Sequence, residues 1–205
     1  DIMELKLLFS EREKVLKAIR LFESTQENIG YLPSDILKST LKMNASTLRS
    51  LKNTLQKIES KMQDIINNNN QLSNQYKLIT SVPGIGTQTA IYLLLVTKGF
   101  HSFSNWRKLA CYAGVAPFEY SSGSSVRGRT KVNHMADKKL KSLFNMCAIN
   151  AKKCDKALKA YYEKKTAEGK SKMLVLNNVR CKLLARVFAV INRNQPYVNT
   201  CKFAA

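Results

Sequence analysis

Two interleaved heptad series place the strongest constraint on the fold. Leu48, Leu55, Met62, Asn69 and Tyr76 lie seven apart, and Leu51, Ile58, Ile65, Leu72 and Ile79 follow each by three. Residues spaced this way share one stripe of an α-helix and form the a/d seam of a coiled coil. Such a stripe needs a covering partner, either a second copy of the chain or a neighbouring helix such as residues 1–23. The expectation is a homodimer through the coiled coil, with higher assembly left open. Asn69 at an a position fits two strands in fixed register, and the polar run Asn67 to Asn70 weakens the helix locally.

Residues 1–23 place Ile2, Leu5, Leu8, Phe9, Val15, Leu16, Ile19 and Phe22 at helical spacing and form a second amphipathic helix. Gly30 and Pro33 mark a connector, with Ser34 a candidate N-cap. A helix ends near Thr80, Pro83-Gly84-Ile85-Gly86 turns the chain, and TQTAIYLLLVTK begins another helix. Glycines before a helix N-terminus let the backbone approach a phosphate, which the free N–H groups there favour. This pattern is that of a helix-hairpin-helix, with Gly84, Gly86 and Thr87 as backbone-phosphate contacts; an ordinary tight turn is the plainer reading.

Beyond Gly99, Ser104 is a candidate N-cap for a helix ending at Ala113, with Phe103 and Trp106 as core anchors. Three more helices follow: Asp137 to Cys154, Ala157 to Thr166, and Met173 to Ile191. The last carries Leu176, Val179, Leu183, Val187 and Val190 on its apolar face, with Arg180, Lys182 and Arg186 off it. Residues from Asn192 read as a frayed tail, and only Phe118 to Tyr120 read as strand. The class is all-α: a long helical coiled-coil segment, then a compact helical domain containing the helix-hairpin-helix. The expected divisions are 1–77, 78–197 and a tail at 198–205.

Charge narrows the partner. Residues 1–120 hold 15 basic and 10 acidic residues, net +5, whereas residues 121–205 hold 19 and 4, net +15. A field of that size attracts polyanions through counterion release. It begins where Ser121, Ser122, Ser124 and Ser125 surround Gly123 and Arg127, Arg129 and Lys131 follow, with Lys138 and Lys139 beyond. Hydroxyls beside guanidinium groups suit phosphate binding or phosphate chemistry, and the residues alone leave both open. Five cysteines without a CxxC pair, and two histidines, provide no zinc ligand set, and they read as reduced thiols of a cytoplasmic protein. No apolar run is long enough to cross a membrane.

SVPGIGTQTAIYLL, then FSNWRKLACYAGVAPFEYSSGSSVRGRTKV, then DKKLKSLF resembles the Tnp domain of the DEDD transposases, the recombinases that include the Piv-type DNA invertases and the bridge-RNA-guided recombinases. The likeness covers about Leu78 to Tyr197. It implies DNA as partner, a guide RNA in some members, and a nucleoid-associated bacterial protein. It also implies a RuvC-like domain with four acidic Mg²⁺ ligands ahead of the coiled coil, so that this chain corresponds to the C-terminal portion and needs no metal of its own. The family's nucleophilic serine follows a Gly-x-x-Pro, here Gly114 to Pro117, and sits in a Ser-Gly, here Ser122-Gly123. Ser122 is therefore the implied nucleophile, with Ser121 and Ser125 as alternates. Ala136 stands where the family usually has Gly. The portion alone is expected to bind nucleic acid without recombining it. The alternative is a non-catalytic helix-hairpin-helix nucleic-acid-binding module.

Overall fold

A computed structural model describes residues 1–27, 34–116, 118–122, 126–132 and 135–199. They divide into two compact units, Asp1–Asn70 and Gln71–Ala205. Helix dominates, and among the described residues no helix is long and apolar enough to cross a membrane.

The first unit is an antiparallel pair, α1 (Ile2–Glu27) and α2 (Ser34–Asn68). Glu4 pairs with Lys61 at 3.3 Å, Arg12 with Glu59 at 2.7 Å and Glu23 with Lys52 at 2.9 Å, so one helix ascends as the other descends. The Glu4–Lys61 and Glu23–Lys52 pairs, exposed at both ends, each contribute roughly 0.2–1 kcal/mol and fix register more than stability. Burial carries the packing: Leu5, Phe9 and Ile19 of α1, and Leu48, Met62 and Ile66 of α2. The heptad seam thus meets a neighbour in its own chain along one flank, while Leu51, Ile58 and Ile65 on the other flank stay half-buried. Helix α2 stops at Asn68 within the polar run, and α3 (Asn70–Thr80) starts two residues on.

The second unit packs α4 (Thr87–Thr97), α5 (Trp106–Tyr112), α6 (Lys138–Cys154), α7 (Lys156–Ala167) and α8 (Lys172–Arg193) with α3. Helix α6 contacts α4, α7 and α8 and supplies the fully buried Leu140, Phe144, Ala148 and Ala151. The N-cap of α5 is Asn105, whose side chain accepts from Lys108 N at 3.0 Å. This corrects Ser104 by one residue, since the asparagine carbonyl reaches the first-turn N–H in the same way a serine would. Asp155 joins α6 to α7: Oδ1 accepts from Leu158 N at 2.9 Å and Oδ2 from Arg186 Nη1 at 2.6 Å, with the carboxylate fully buried.

Two further expectations change. Arg180 is 5% exposed, so it lies within the apolar face of α8 rather than off it. The stretch after α8 is fastened, not frayed, as far as Tyr197: Asn194 Oδ1 accepts from Asn74 Nδ2 at 2.6 Å, Tyr197 N donates to Ser81 Oγ at 2.8 Å, and the Arg186 guanidinium lies 4.9 Å from the Tyr197 ring. Residues 200–205 fall outside the described part.

A short antiparallel ribbon, β1 (Phe118–Ser122) and β2 (Val126–Lys131), stands between α5 and α6. The sequence pointed to part of β1. The second strand was hidden, because VRGRTK offers only Val126 and Thr130 as strand formers around an interior glycine.

Candidate nucleic-acid interface

Three features could meet a nucleic acid: the α3–α4 turn, the ribbon, and the lysines that follow it. In the turn, Ile85 N donates to Val82 O at 3.1 Å across Pro83 and Gly84, with Gly84 at φ +93. That is a type II turn, which wants proline second and glycine third. A Cβ on Gly84 would lie 2.6 Å from Ala151 Cβ and 2.8 Å from Ala151 Cα, so this glycine also permits the turn to rest on α6. Gly86 differs. It is the N-cap of α4 with no side-chain cap, has φ −96, and has open space where a Cβ would stand. Thr87 is exposed, and its Oγ1 accepts from Tyr76 OH at 3.1 Å. Behind the turn, Cys147 Sγ donates to Thr89 Oγ1 at 3.3 Å; burial pushes this thiol's pKa up, and the hydrogen bonds to Thr89 and the Gly86 backbone work against that.

The ribbon's register sets Ser121 opposite Arg127 and Ser122 opposite Val126, with a bulge between Phe118 and Tyr120. Ser125 lies outside the described residues, and for Ser121, Ser122, Arg127, Arg129 and Lys131 the backbone alone is described. The two legs meet at the base. Gly114, at φ +62, would place a Cβ 2.5 Å from Ala136 Cβ and 3.0 Å from Val132 Cγ1. Asp137 holds the returning leg. Its backbone N donates to Tyr112 O at 2.9 Å, its Oδ1 accepts from Leu140 N at 2.9 Å, and its Oδ2 accepts from Tyr92 OH at 2.9 Å. Partial burial, then the nearby Asp137 charge, raises the Tyr112 pKa. Lys138 is exposed and Lys139 partly so, both in the first turn of α6, where the helix dipole disfavours cations.

Residues 76–163 match the family model described as Transposase IS116/IS110/IS902 family. That stretch is similar to the transposase domain of this family. Over 134 residues the chain is 31% identical to the pilin gene-inverting proteins of Moraxella lacunata and Moraxella bovis, covering 65% of this chain and 42% of each relative. It is 32% identical over 114 residues to the insertion element IS110 uncharacterized 43.6 kDa protein of Streptomyces coelicolor, covering 56% of this chain and 28% of that relative. The chain therefore spans less than half the length of these relatives. The transposase-domain match takes in the turn, α4 to α6, the ribbon and most of α7. Helix α8, with Arg180 and Arg186, lies beyond it.

Sequence reasoning missed three contributors to this region. Asp137 was read only as a helix start, Tyr92 only as part of the helix that follows the turn, and Asn177 not at all, although its Nδ2 donates to Val115 O at 2.6 Å. An acidic residue after Met135-Ala136 at a helix start was a usable signal for the first. The other two depend on contacts distant in sequence.

Proposed function

We propose that this chain is the nucleic-acid-binding and strand-transfer part of an insertion-sequence transposase, acting with a RuvC-like domain outside these 205 residues. The observation that carries the reading is the ribbon, whose register pairs the strand ending in Ser121-Ser122 with the basic strand inside the transposase-domain match. Ser122 is the proposed nucleophile, with Ser121 and Ser125 as alternates. Its Oγ attacks the phosphorus of a DNA phosphodiester: an Oγ–P bond forms, one P–O ester bond breaks, and the departing sugar oxygen takes up a proton. The serine proton passes to a base, for which Glu119 is the nearest carboxylate in sequence. Arg127, Arg129 and Lys131 stabilise the charge that builds on the phosphoryl oxygens. Mg²⁺ held by the RuvC-like domain would supply Lewis-acid activation.

Around this centre the turn works as a helix-hairpin-helix, with Thr87 presenting its backbone N–H to a phosphate and Gly86, bare of a side chain, letting that phosphate come close. Lys138 and Lys139, placed against the dipole of α6, become favourable once a phosphate arrives. The half-buried seam of α2, together with Met3, Leu7, Leu21 and Met43, which are 66–78% exposed, pairs with a second copy. A guide RNA is a further possible ligand of the same basic surface, in the cytoplasm.

Substituting Ser122→Ala in the protein that carries both domains is the test. The expected result is lost recombination with duplex binding retained. Unchanged recombination would pass the role to Ser121 or Ser125, and recombination that survives replacement of all three serines by alanine would overturn the serine chemistry and leave the non-catalytic binding module standing.

A further inference from the structure

Arg180 sits on α8 with one neighbour on α6 and one a turn earlier on its own helix. Its Nη2 donates to Asn145 Oδ1, and its Nη1 donates to Asn177 Oδ1 at 3.3 Å. Its Nε is buried and has no partner among the described residues, and no carboxylate pairs with it there. A guanidinium that is 5% exposed and lacks a counter-ion is costly. An apolar side chain of similar volume would pack α8 at lower cost.

What the cation holds is the orientation of an amide. With Asn177 Oδ1 turned toward a guanidinium donor, Nδ2 must face the other way, where it donates to Val115 O at 2.6 Å. The flipped amide would set donor against donor at Arg180 and acceptor against acceptor at Val115. Val115 is where the chain leaves α5: its N and that of Ala116 both donate to Ala110 O, at 2.9 and 3.2 Å. β1 begins at Phe118, three residues on.

We propose that Arg180 is a positioning residue for the ribbon: through Asn177 it fixes the Val115 carbonyl, and with it the direction in which β1 carries Ser121 and Ser122 out of the helical core. This rests on the reading of the ribbon as the reactive element.

Amide hydrogen exchange on the 205-residue chain tests it with Arg180→Met, Asn177→Leu and the double variant. Arg180→Met is expected to speed exchange at residues 116 and 118–122 about fivefold to tenfold, the ratio that losing one such hydrogen bond corresponds to. Exchange in α4 and α6 should stay unchanged. Asn177→Leu should reproduce the effect, and the double variant should exchange no faster than Asn177→Leu alone, because both act through one bond. Arg180→Lys, which keeps the charge and a donor, should restore part of the protection. Unmoved ribbon amides would overturn the proposal. So would a rise shared by every helix of the second unit, or a double variant in which the two effects multiply. If Arg180→Met fails to fold, Arg180→Gln takes its place beside Asn177→Leu, and ribbon amides that exchange as in the native chain would overturn the proposal. In the protein with both domains, Arg180→Met should lower kcat for strand exchange with DNA affinity unchanged. The exchange experiment reads no catalysis. An unmoved ribbon therefore removes this inference, whereas a protein that still recombines with Ser121, Ser122 and Ser125 all replaced by alanine removes the functional reading.

Discussion

Gly84 and Gly86 look alike in the sequence, yet the same substitution should act on them differently. Gly84→Ala places a Cβ on a residue at φ +93, a strain of about 1–2 kcal/mol for an L side chain. That Cβ also falls 2.6 Å from Ala151 Cβ and 2.8–2.9 Å from the α6 backbone. A helix backbone cannot swing aside as the end of a long side chain can, so overpacking adds about 1–3 kcal/mol. The total is about 2–5 kcal/mol, out of a domain stability of about 5–15 kcal/mol. At Gly86, φ −96 suits any residue and nothing lies within 4 Å of the added Cβ. Alanine restricts the unfolded chain, worth about 0.4–1 kcal/mol, and is a poorer N-cap than glycine by a similar amount. The net change should stay within about 0.5 kcal/mol. The single tryptophan, Trp106 in α5, reports on the second unit alone. With a urea slope of about 2 kcal/mol per molar, Gly84→Ala should lower the fluorescence midpoint by about 1–2.5 M and Gly86→Ala by less than about 0.3 M. Duplex affinity should fall for Gly86→Ala despite its intact stability. Equal midpoints for the two variants would refute the assignment of Gly84 to packing.

Two further outcomes follow from groups buried beside the interface. Arg186→Met leaves the fully buried Asp155 carboxylate without its cation and should cost about 3–5 kcal/mol by urea unfolding, with Asp155→Asn in the same chain recovering part of the loss. Removing the exposed partner in Lys14–Glu11 should cost less than about 1 kcal/mol in the same assay. Burial raises the pKa of Cys147 and of Cys181. A raised folded-state pKa means that the unfolded chain loses the proton first, so these thiols contribute stability that is fully present below about pH 8.5 and is lost as pH rises through the folded values. Among the four described cysteines, alkylation followed by peptide mass spectrometry should modify the exposed Cys154 first and the buried Cys147 last, with unfolding free energy falling on the alkaline side.

Helix placement was legible because it depends on local periodicity. The stripes of α1, α2, α6 and α8, and the break at the polar run, all follow from residues within a few turns of one another. Legibility ended where a residue's type argued against its position. Arg180 lies four after Leu176 and four before Leu184, both buried, so the register of α8 places it inward whatever its charge. The seam was legible as a stripe, but no heptad count specifies its partner. Burial of Ile66 rather than Ile65 shows α1 lying to one side of the stripe. The second ribbon strand was illegible for another reason: a two-stranded ribbon need not bury an apolar face, so it leaves no alternating apolar pattern to read.

The organising element of the interface is neither the turn nor the ribbon but α6, which the sequence marks only as a lysine-rich helix. Asp137 caps its start and holds the ribbon's returning leg, and Ala151 near its end receives the turn through Gly84. Fourteen residues at 1.5 Å each separate these two supports by about 21 Å. Duplex DNA advances 3.4 Å per base step, so a backbone touching both places would be held over about six steps, at a spacing one rigid helix fixes. Glycine at 84 brings the turn against α6 itself, and glycine at 114 lets the outgoing leg close on Val132 and Ala136 of the returning leg, just ahead of α6. In each case a single methyl group would collide with an alanine, Ala151 or Ala136, rather than with a side chain able to move. The departure at Ala136 from the glycine usual in the resembling family is thus accommodated across the ribbon base by Gly114, which has no Cβ to meet the Ala136 methyl.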